Sequence, residues 1–371
     1  MIKGSAKMTK VKALIIVVCL ALLGIAIWLS YSTEGGAIVM KNNIVLKGII
    51  TSEKENFFKD ERVQEIFKNN GINLQYTRMT SDKIAQAKSV EDLGEYRDFV
   101  FPSGIQTAEK VRTNFKNAQP YNIFYSPMII ATWTPIVDIL RANGITKKMG
   151  QYEAIDMEKL LQLSAQNVRW KDLKGADAYP VNKVVLVSSS DARFSGSAKM
   201  YLSLSSYVLN DNNVVSTNEE VDKVIPTLKK IIQAQGNRES SSANMTSDYM
   251  SIGRGKVPMM FTYESEILGS AFKNNGLIKK DMQLVYPTPT VFTKHVLVVI
   301  NPQAQALVDL LKNNAELKKI ALENGFRFEG ETGIVEKAKS VAITIPSEVV
   351  DVIDPPNYDI LDYLTNQVES K

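Results

Sequence analysis

The chain has 371 residues, of which 44% are hydrophobic and 23% charged, so it is a folded protein long enough for two domains or lobes. Its formal net charge of +4 equals the charge of four lysines among the first 12 residues, which leaves a neutral body without a basic surface for nucleic acid. The single cysteine, Cys19, excludes a disulfide framework, and the single histidine, His295, has no partner for zinc hydrolysis or for Ser-His or Cys-His catalysis.

The N-terminal segment predicts a membrane anchor. Residues Ala13 to Leu29 form an unbroken run of 17 residues that are apolar or glycine, at the short end of what can span a bilayer. The lysines before this run place the N-terminus in the cytoplasm. We therefore predict a basic cytoplasmic tail at 1–12, a single transmembrane helix at 13–31, a linker at 32–43 and a body on the extracytoplasmic side of the cell membrane. The alternative is a cleaved signal peptide and a secreted body, since Ser30 and Ser32 suit a cleavage site.

Strands and helices alternate through the first part of the body. Apolar runs predict strands, and amphipathic spacing with glycine stops predicts helices. The predicted strands are 44–50, 72–79, 99–101 and 121–133, and the predicted helices are 53–70, 81–89, 106–115 and 135–143. A βαβ series of this kind implies a parallel sheet that is covered by helices on both faces.

A strand, turn and helix in the middle of the chain carry the clearest functional signal. Residues 184–187 predict a buried strand and 198–209 a buried helix, with the turn Ser195-Gly196-Ser197 where the helix begins. Unpaired N–H groups, two hydroxyls and the positive end of the helix dipole meet there, so the turn predicts an anion site with Arg193 close by. Ordinary serine capping, with Arg193 paired to Asp191 on the surface, explains the same residues.

A second α/β unit surrounds this stretch. Its predicted helices are 156–166, 217–235, 247–253 and 264–274, and its predicted strands are 257–262 and 282–285. A long strand at 291–300, a helical region from Asn301 to Gly325 and a final helix at 358–368 follow. The long apolar segments 121–133 and 291–300 predict two crossings between lobes. Lobe I would combine 44–132 with 291–371, lobe II would be 133–290, and the ligand would lie in the cleft between them.

Candidate binding residues follow from the rule that open α/β sheets bind ligands beyond the carboxyl ends of their strands. They are Thr51, Ser52, Ser103, Gly104, Thr132, Ser190, Arg193, Ser195, Gly196, Ser197, Tyr263 and Glu264. Ser52 and Ser103 can instead cap the helices that follow them, and Tyr263 can instead pack at the hinge. Glu264 in the cleft would oppose an anion unless a cation compensated it, and it can instead be a structural carboxylate.

Three segments resemble, in the same order, segments of a known group of receptors. They are SGSAKMYL at 195–202, FTYESEIL at 261–268 and VYPTPTVFTKHVLVVI at 285–300. The group comprises the extracytoplasmic solute-binding receptors of the sulfate, thiosulfate and molybdate ABC transporters. The resemblance implies an α/β, two-lobed periplasmic-binding-protein type II fold, here preceded by one transmembrane helix. It also implies an anion contact at the helix start that begins with Ser195 and a Tyr-Glu pair at Tyr263 and Glu264 near the cleft.

Two loops depart from that pattern, namely the loop that begins with Thr51-Ser52-Glu53-Lys54 and the loop Phe101 to Gly104. These departures leave the identity of the ligand undetermined. We expect a membrane-tethered solute-binding receptor, without enzymatic activity, cofactor or metal, that delivers a small solute, with an oxyanion as one candidate, to an ABC permease. The alternative is a tethered sensory or interaction protein that reuses the fold without transport. An enzyme acting through Glu264 or Asp191 lacks an identifiable acid partner.

Overall fold

The computed structural model describes residues 43–273 and 277–370. Residues from Ile44 onward form one compact unit. The predicted cytoplasmic tail, the anchor at 13–31 and all of the linker except Asn43 lie outside the described residues. Within the part of the chain that is described, no helix combines the length and apolar character needed to cross a membrane.

The first sheet contains four strands that run in one direction and one that runs against them. Its strands are β1 (Ile44–Ile50), β2 (Ile72–Arg78), β3 (Phe99–Phe101), β9 (Thr290–Val299) and the first part of β4 (Gln119–Trp133). β1 pairs in parallel with both β2 and β3, whereas β9 runs antiparallel to β3 and β4. The predicted parallel sheet is therefore mixed, because β9 runs against the direction of the other four strands.

The helices of this part are short and lie on both faces of the first sheet. They are α1 (Glu55–Phe58), α2 (Glu61–Asn69), α3 (Ser81–Gln86), α4 (Ile105–Asn114), α11 (Gln305–Asn313) and α12 (Ala315–Glu323). One face buries an aromatic cluster around Phe57, Phe58 and Phe101, and the other buries an aliphatic cluster around Ile49, Val100 and Val298. Two separate cores confirm the prediction that helices cover both faces.

The second sheet begins where β4 leaves the first. The last part of β4 pairs with β7 (Met260–Tyr263) and β8 (Met282–Thr288), and β6 (Tyr152–Asp156) and β5 (Thr146–Met149) extend the sheet. Its helices are α5 (Thr134–Ala142), α6 (Met157–Ala165), α7 (Gly196–Leu209), α8 (Asn218–Ala234), α9 (Ser242–Ile252) and α10 (Glu264–Lys273). β4 takes part in both sheets and thus forms the first predicted crossing. The second predicted crossing, 291–300, falls in β9, which pairs within the first sheet, and the chain leaves the second sheet between β8 and β9.

The C-terminal segment contains α13 (Ile334–Ser340), β10 (Val352–Ile353) and α14 (Tyr358–Glu369). Leu361, Leu364 and Val368 of α14 are buried in the same core as the residues of α7 and α8. The C-terminal helix therefore packs on the core of the second sheet, although the sequence interpretation grouped 291–371 with lobe I. The lobe bounds remain a prediction.

Three local predictions were wrong. Residues 184–187 form isolated bridges and no regular strand, since only Val184 pairs with Arg169 and the next bridge joins Ser188 to Met260. The hairpin of β5 and β6 was missed because its first strand is lysine-rich and exposed at the sheet edge. Helix α9 begins five residues earlier than predicted, because the Ser241 side chain accepts a hydrogen bond from the Asn244 N–H and caps it.

Candidate functional site

A polar cleft of about 470 Å³ lies where the first turns of five helices meet. The helices are the 3₁₀ turn after β1, then α3, α4, α7 and α9. Each contributes hydroxyl residues at or next to its start, which are Thr51 and Ser52, Thr80 and Ser81, Ser103, Ser195, and Ser241 and Ser242. The first turn of a helix has N–H groups without an intrahelical partner and the positive end of the helix dipole. The cleft thus gathers neutral hydrogen-bond donors around one space.

The start of α7 carries a buried triangle of hydroxyls. Ser190 Oγ donates to Ser195 Oγ at 2.7 Å, and Ser197 Oγ lies 3.0 Å from each of them. Ser195 occupies the N-cap position, yet its side chain makes no capping hydrogen bond to the α7 backbone. At α3 and α9, by contrast, the side chains of Thr80 and Ser241 do cap the helix. The interpretation of Ser195 as an ordinary cap is therefore wrong.

The two walls of the cleft touch at Gly196. A Cβ atom at this position would lie 2.5 Å from Ser103 Oγ and 2.9 Å from the Tyr263 hydroxyl. Ser103 is in turn 2.9 Å from Ser81 Oγ, so a chain of hydroxyls leads from α3 to the backbone of α7. Only a residue without a side chain allows this approach. The two walls of the cleft are therefore in contact in this structure.

A buried ion pair forms part of the cleft floor. Lys54 is fully buried, donates to Thr51 Oγ1 at 2.8 Å, pairs with the Glu53 carboxylate and lies 4.8 Å from the centre of the Phe101 ring. Burial alone would raise the pKa of Glu53, but Lys54 holds this pKa well below its ordinary value. Burial lowers the pKa of His295 to about 4, so this histidine is neutral at pH 7. The Glu53 charge is therefore compensated locally.

Two cationic side chains, Arg78 and Lys83, also line the cleft. Arg78 is paired with Glu55 at 2.7 Å. Beside the cleft, Lys199 of α7 forms an ion pair with Asp82 of α3, and both side chains are largely buried. This pair joins the same two walls as the contact between Gly196 and Ser103.

A second cavity, of about 300 Å³, adjoins the first and shares Ser52 and Glu53 with it. Glu266 lines this cavity and accepts hydrogen bonds from three hydroxyls, Ser242 at 2.6 Å, Thr262 at 2.8 Å and Thr246 at 3.0 Å. Burial raises the pKa of Glu266 to about 7. Ser242 belongs to the lining of the first cavity, so one hydrogen bond connects the two spaces.

Most of the predicted binding residues are brought together. Six of them line the cleft, namely Thr51, Ser52, Ser103, Ser195, Gly196 and Tyr263. Ser190 and Ser197 are bonded to Ser195, and Gly104 is the N-cap of α4, directly after Ser103.

The remaining three predicted residues also lie outside the cleft lining, and their side chains are bonded elsewhere. Thr132 is buried and donates to the Pro258 carbonyl at 3.0 Å. Arg193 forms a two-pronged ion pair with Asp191, with its Nη2 2.6 Å from Asp191 Oδ2. Glu264 is fully buried, and Arg327 holds it at 2.7 and 3.0 Å. The surface-pair and structural-carboxylate interpretations therefore describe Arg193 and Glu264 correctly.

Sequence reasoning missed two of the five helix starts and the second cavity. Thr80 and Ser81 follow strand β2, so the strand-end rule selects them as readily as it selects Ser103. Ser241 and Ser242 end a polar run, 239–242, and no apolar residue before Ala243 marks the start of a helix. Glu266 gave no signal of its own, because its surroundings depend on hydroxyls from α9 and β7.

No protein-family model matches the sequence, and no curated protein matches it. Solved structures do match. Iron-bound HitA from Pseudomonas aeruginosa is 10% identical and has a TM-score of 0.57, covering 88% of this chain and 100% of that one. The substrate binding protein of an ABC transporter from Agrobacterium tumefaciens is 13% identical with a TM-score of 0.54, covering 90% and 96%. The ferric binding protein from Campylobacter jejuni is 10% identical with a TM-score of 0.52, covering 87% and 96%.

These likenesses confirm the predicted fold. The chain has the two-lobed α/β fold of the periplasmic solute-binding proteins, type II. The narrower resemblance to the sulfate, thiosulfate and molybdate receptors remains a prediction.

Proposed function

We propose that this protein is an extracytoplasmic solute-binding receptor that captures a small oxyanionic solute for an ABC importer. The observation that supports it best is the meeting of five hydroxyl-bearing helix starts in one cleft. Helix N-termini bind anions through their free N–H groups and the helix dipole. In this proposal, lobe I is 44–132 with 291–371, apart from α14, which packs on the core of the second sheet; lobe II is 133–290, and the segment 13–31 tethers the body to the membrane.

Charge compensation around the cleft supports an anionic ligand. The carboxylate of Glu53 is paired with Lys54, and that of Glu264 with Arg327, so neither opposes an anion with an unpaired charge. Lys83 lines the cleft and adds a positive charge. Neutral hydroxyl and N–H donors around a desolvated anion bind it strongly without a full counter-charge.

The iron named in the HitA structure is a property of that protein. Across the described residues of this chain, no group of three or more His, Cys, Asp or Glu side chains is placed to hold a metal ion. Its cleft presents hydroxyl groups and helix N–H donors, a donor set that suits an anion. The ligand proposed for this chain therefore follows from its own cleft.

Closure provides the signal of binding. Gly196 and Ser103 meet across the cleft, and Lys199 pairs with Asp82 beside it. A ligand that contacts both walls stabilises the closed form by its additional closed-state contacts, and by nothing else. A permease that recognises the closed form would thus respond to the loaded receptor.

Calorimetry on the full chain in lipid nanodiscs tests this proposal. The panel contains sulfate, thiosulfate, molybdate, phosphate and small organic phosphonates and sulfonates, with ferric citrate and spermidine for contrast. We expect binding of at least one oxyanion. Ser195→Ala with Ser197→Ala should weaken this binding by about ten- to 100-fold without abolishing it, because two donor hydroxyls are lost and the backbone donors remain. Absence of oxyanion binding, or binding of ferric citrate or spermidine alone, would contradict the proposal.

A further inference from the structure

The second cavity contains a carboxylate without a cation. Glu266 receives three hydroxyl hydrogen bonds, two on Oε2 and one on Oε1. Among the described residues, no basic side chain lies within ion-pair distance of it, although the buried carboxylates Glu53 and Glu264 each have one. Lys273 lines the same cavity but donates to Asn324 Oδ1 at 2.8 Å. Glu266 is thus an exception to the charge compensation seen elsewhere around the cleft.

A partly buried carboxylate without a cation costs stability. Desolvation penalises the charged form, and hydroxyl donors recover only part of the cost. A glutamine at 266 could accept the same hydroxyl donors on its carbonyl oxygen without this penalty. A structural role in tying α9 to β7 therefore does not require the charge.

The location of Glu266 places its charge next to the cleft. The cavity that it lines continues into the cleft of the helix starts, because both are lined by Ser52 and Glu53. Ser242 connects them, since it lines the first cavity and donates to Glu266 in the second. Glu53 faces the same cavity from the β1 side, with its charge compensated by Lys54. A cleft of hydrogen-bond donors suited to an anion is therefore continuous with a cavity that contains a carboxylate without a cation.

We propose that the ligand is a small zwitterion, with its anionic group at the five helix starts and an ammonium group in the second cavity against Glu266. This inference rests on the proposed function and specifies its ligand class. An ammonium group has three donors, which matches the remaining acceptor capacity of Glu266 and the neighbouring Glu53 carboxylate. Because Glu266 lies in α10, a helix of the second sheet, and Glu53 follows the first strand of the first sheet, such a ligand also joins the two walls.

The test compares ligands that differ only by an amino group. The pairs are taurine and ethanesulfonate, 2-aminoethylphosphonate and ethylphosphonate, and β-alanine and propionate, titrated into the full chain in lipid nanodiscs. For at least one pair, we expect the amino-bearing member to bind about ten- to 100-fold more tightly, the range of a charge-assisted hydrogen bond in a desolvated site. Glu266→Gln should remove this advantage and leave the affinity for the amino-free member within about threefold, since the anion site is unchanged.

Two further variants separate charge from structure. Glu266→Asp keeps the charge and should keep part of the advantage, even if its shorter side chain loosens the hydroxyl contacts. Glu65→Gln removes an exposed carboxylate from α2 and should change nothing. A structural role alone would lower the affinity of both members of a pair together.

The outcomes are distinct. Equal binding within every pair, or an advantage that survives in Glu266→Gln, overturns the zwitterion proposal. So does binding of inorganic oxyanions when no member of any pair binds, although the proposed receptor function then stands. If neither the pairs nor the inorganic oxyanions bind, the proposed function fails as well.

Discussion

Replacement of Gly196 by alanine should block closure of the cleft without weakening the fold. The added Cβ would lie 2.5 Å from Ser103 Oγ and 2.9 Å from the Tyr263 hydroxyl, against about 3.4 Å for an ordinary contact. Gly196 is the first residue of α7 and its backbone is not in the left-handed region, so alanine fits the local conformation. The clash therefore disrupts the contact between the walls and does not strain the helix.

The magnitude follows from the overlap. An extra methyl group in a closely packed contact costs about 1–3 kcal/mol. If this cost falls on the closed form alone, affinity should drop by about five- to 150-fold. Alanine is also a better helix former than glycine by up to about 1 kcal/mol, so the stability of the ligand-free open form should stay equal or rise slightly. The variant should therefore bind its ligand more weakly while its free energy of unfolding stays equal or rises slightly.

Calorimetry with the best-binding ligand measures the affinity, small-angle scattering measures closure, and urea unfolding measures stability. Gly255→Ala is the matched control, because a Cβ there would have open space around it. Ser103→Gly in the Gly196→Ala background removes the closest clash and should restore part of the affinity. Wild-type affinity and closure in Gly196→Ala would show that the walls do not meet at this residue when ligand is bound.

Three other substitutions test the charges around the cleft. Arg327→Met leaves Glu264 buried without its cation and should lower the free energy of unfolding by about 3–5 kcal/mol in urea denaturation. The folded-state pKa of Glu266 is raised to about 7, so this group destabilises the protein progressively as pH rises from about 4.5 to 7. Glu266→Gln should therefore raise stability above pH 7 by about 1–2 kcal/mol, after allowance for solvent contact, and should have no effect at pH 4. Asp82→Asn removes the ion pair with Lys199 across the cleft and should speed ligand dissociation by about two- to fivefold in stopped-flow measurements.

Local sequence signals predicted the framework well. Strands 44–50 and 99–101 were predicted with the bounds that the structure has, because the first is mostly apolar between Asn43 and Thr51 and the second wholly apolar between Asp98 and Pro102. The helix predicted at 217–235 was found at Asn218–Ala234, since the Thr217 cap that starts it depends on a residue only a few positions away. The fold class followed from the order of these elements and from the two long crossing segments.

The partners of buried charges could not be predicted in this way. Arg327 compensates Glu264 from 63 positions away. Lys199 and Asp82 are 117 positions apart. Contacts of this range depend on how the two sheets are placed, which residue spacing does not encode. The binding role assigned to Arg193 failed for a local reason instead, because Asp191, two positions away, pairs with it as the alternative interpretation predicted.

The hydroxyls of the cleft differ in whether their hydrogen bonds are set by the local sequence or by tertiary packing. Thr80 and Ser241 cap their helices, so their side-chain oxygens are committed to backbone N–H groups and stabilise the helix starts. Ser195 has the same kind of position, but its hydroxyl is bonded to Ser190 and Ser197 and makes no cap. The first-turn N–H groups of α7 therefore receive no side-chain cap from Ser195, while those of α3 and α9 receive one from their own caps. The packing of the 188–195 loop, and not the residue type at the N-cap, therefore decides that Ser195 leaves the start of α7 without a side-chain cap.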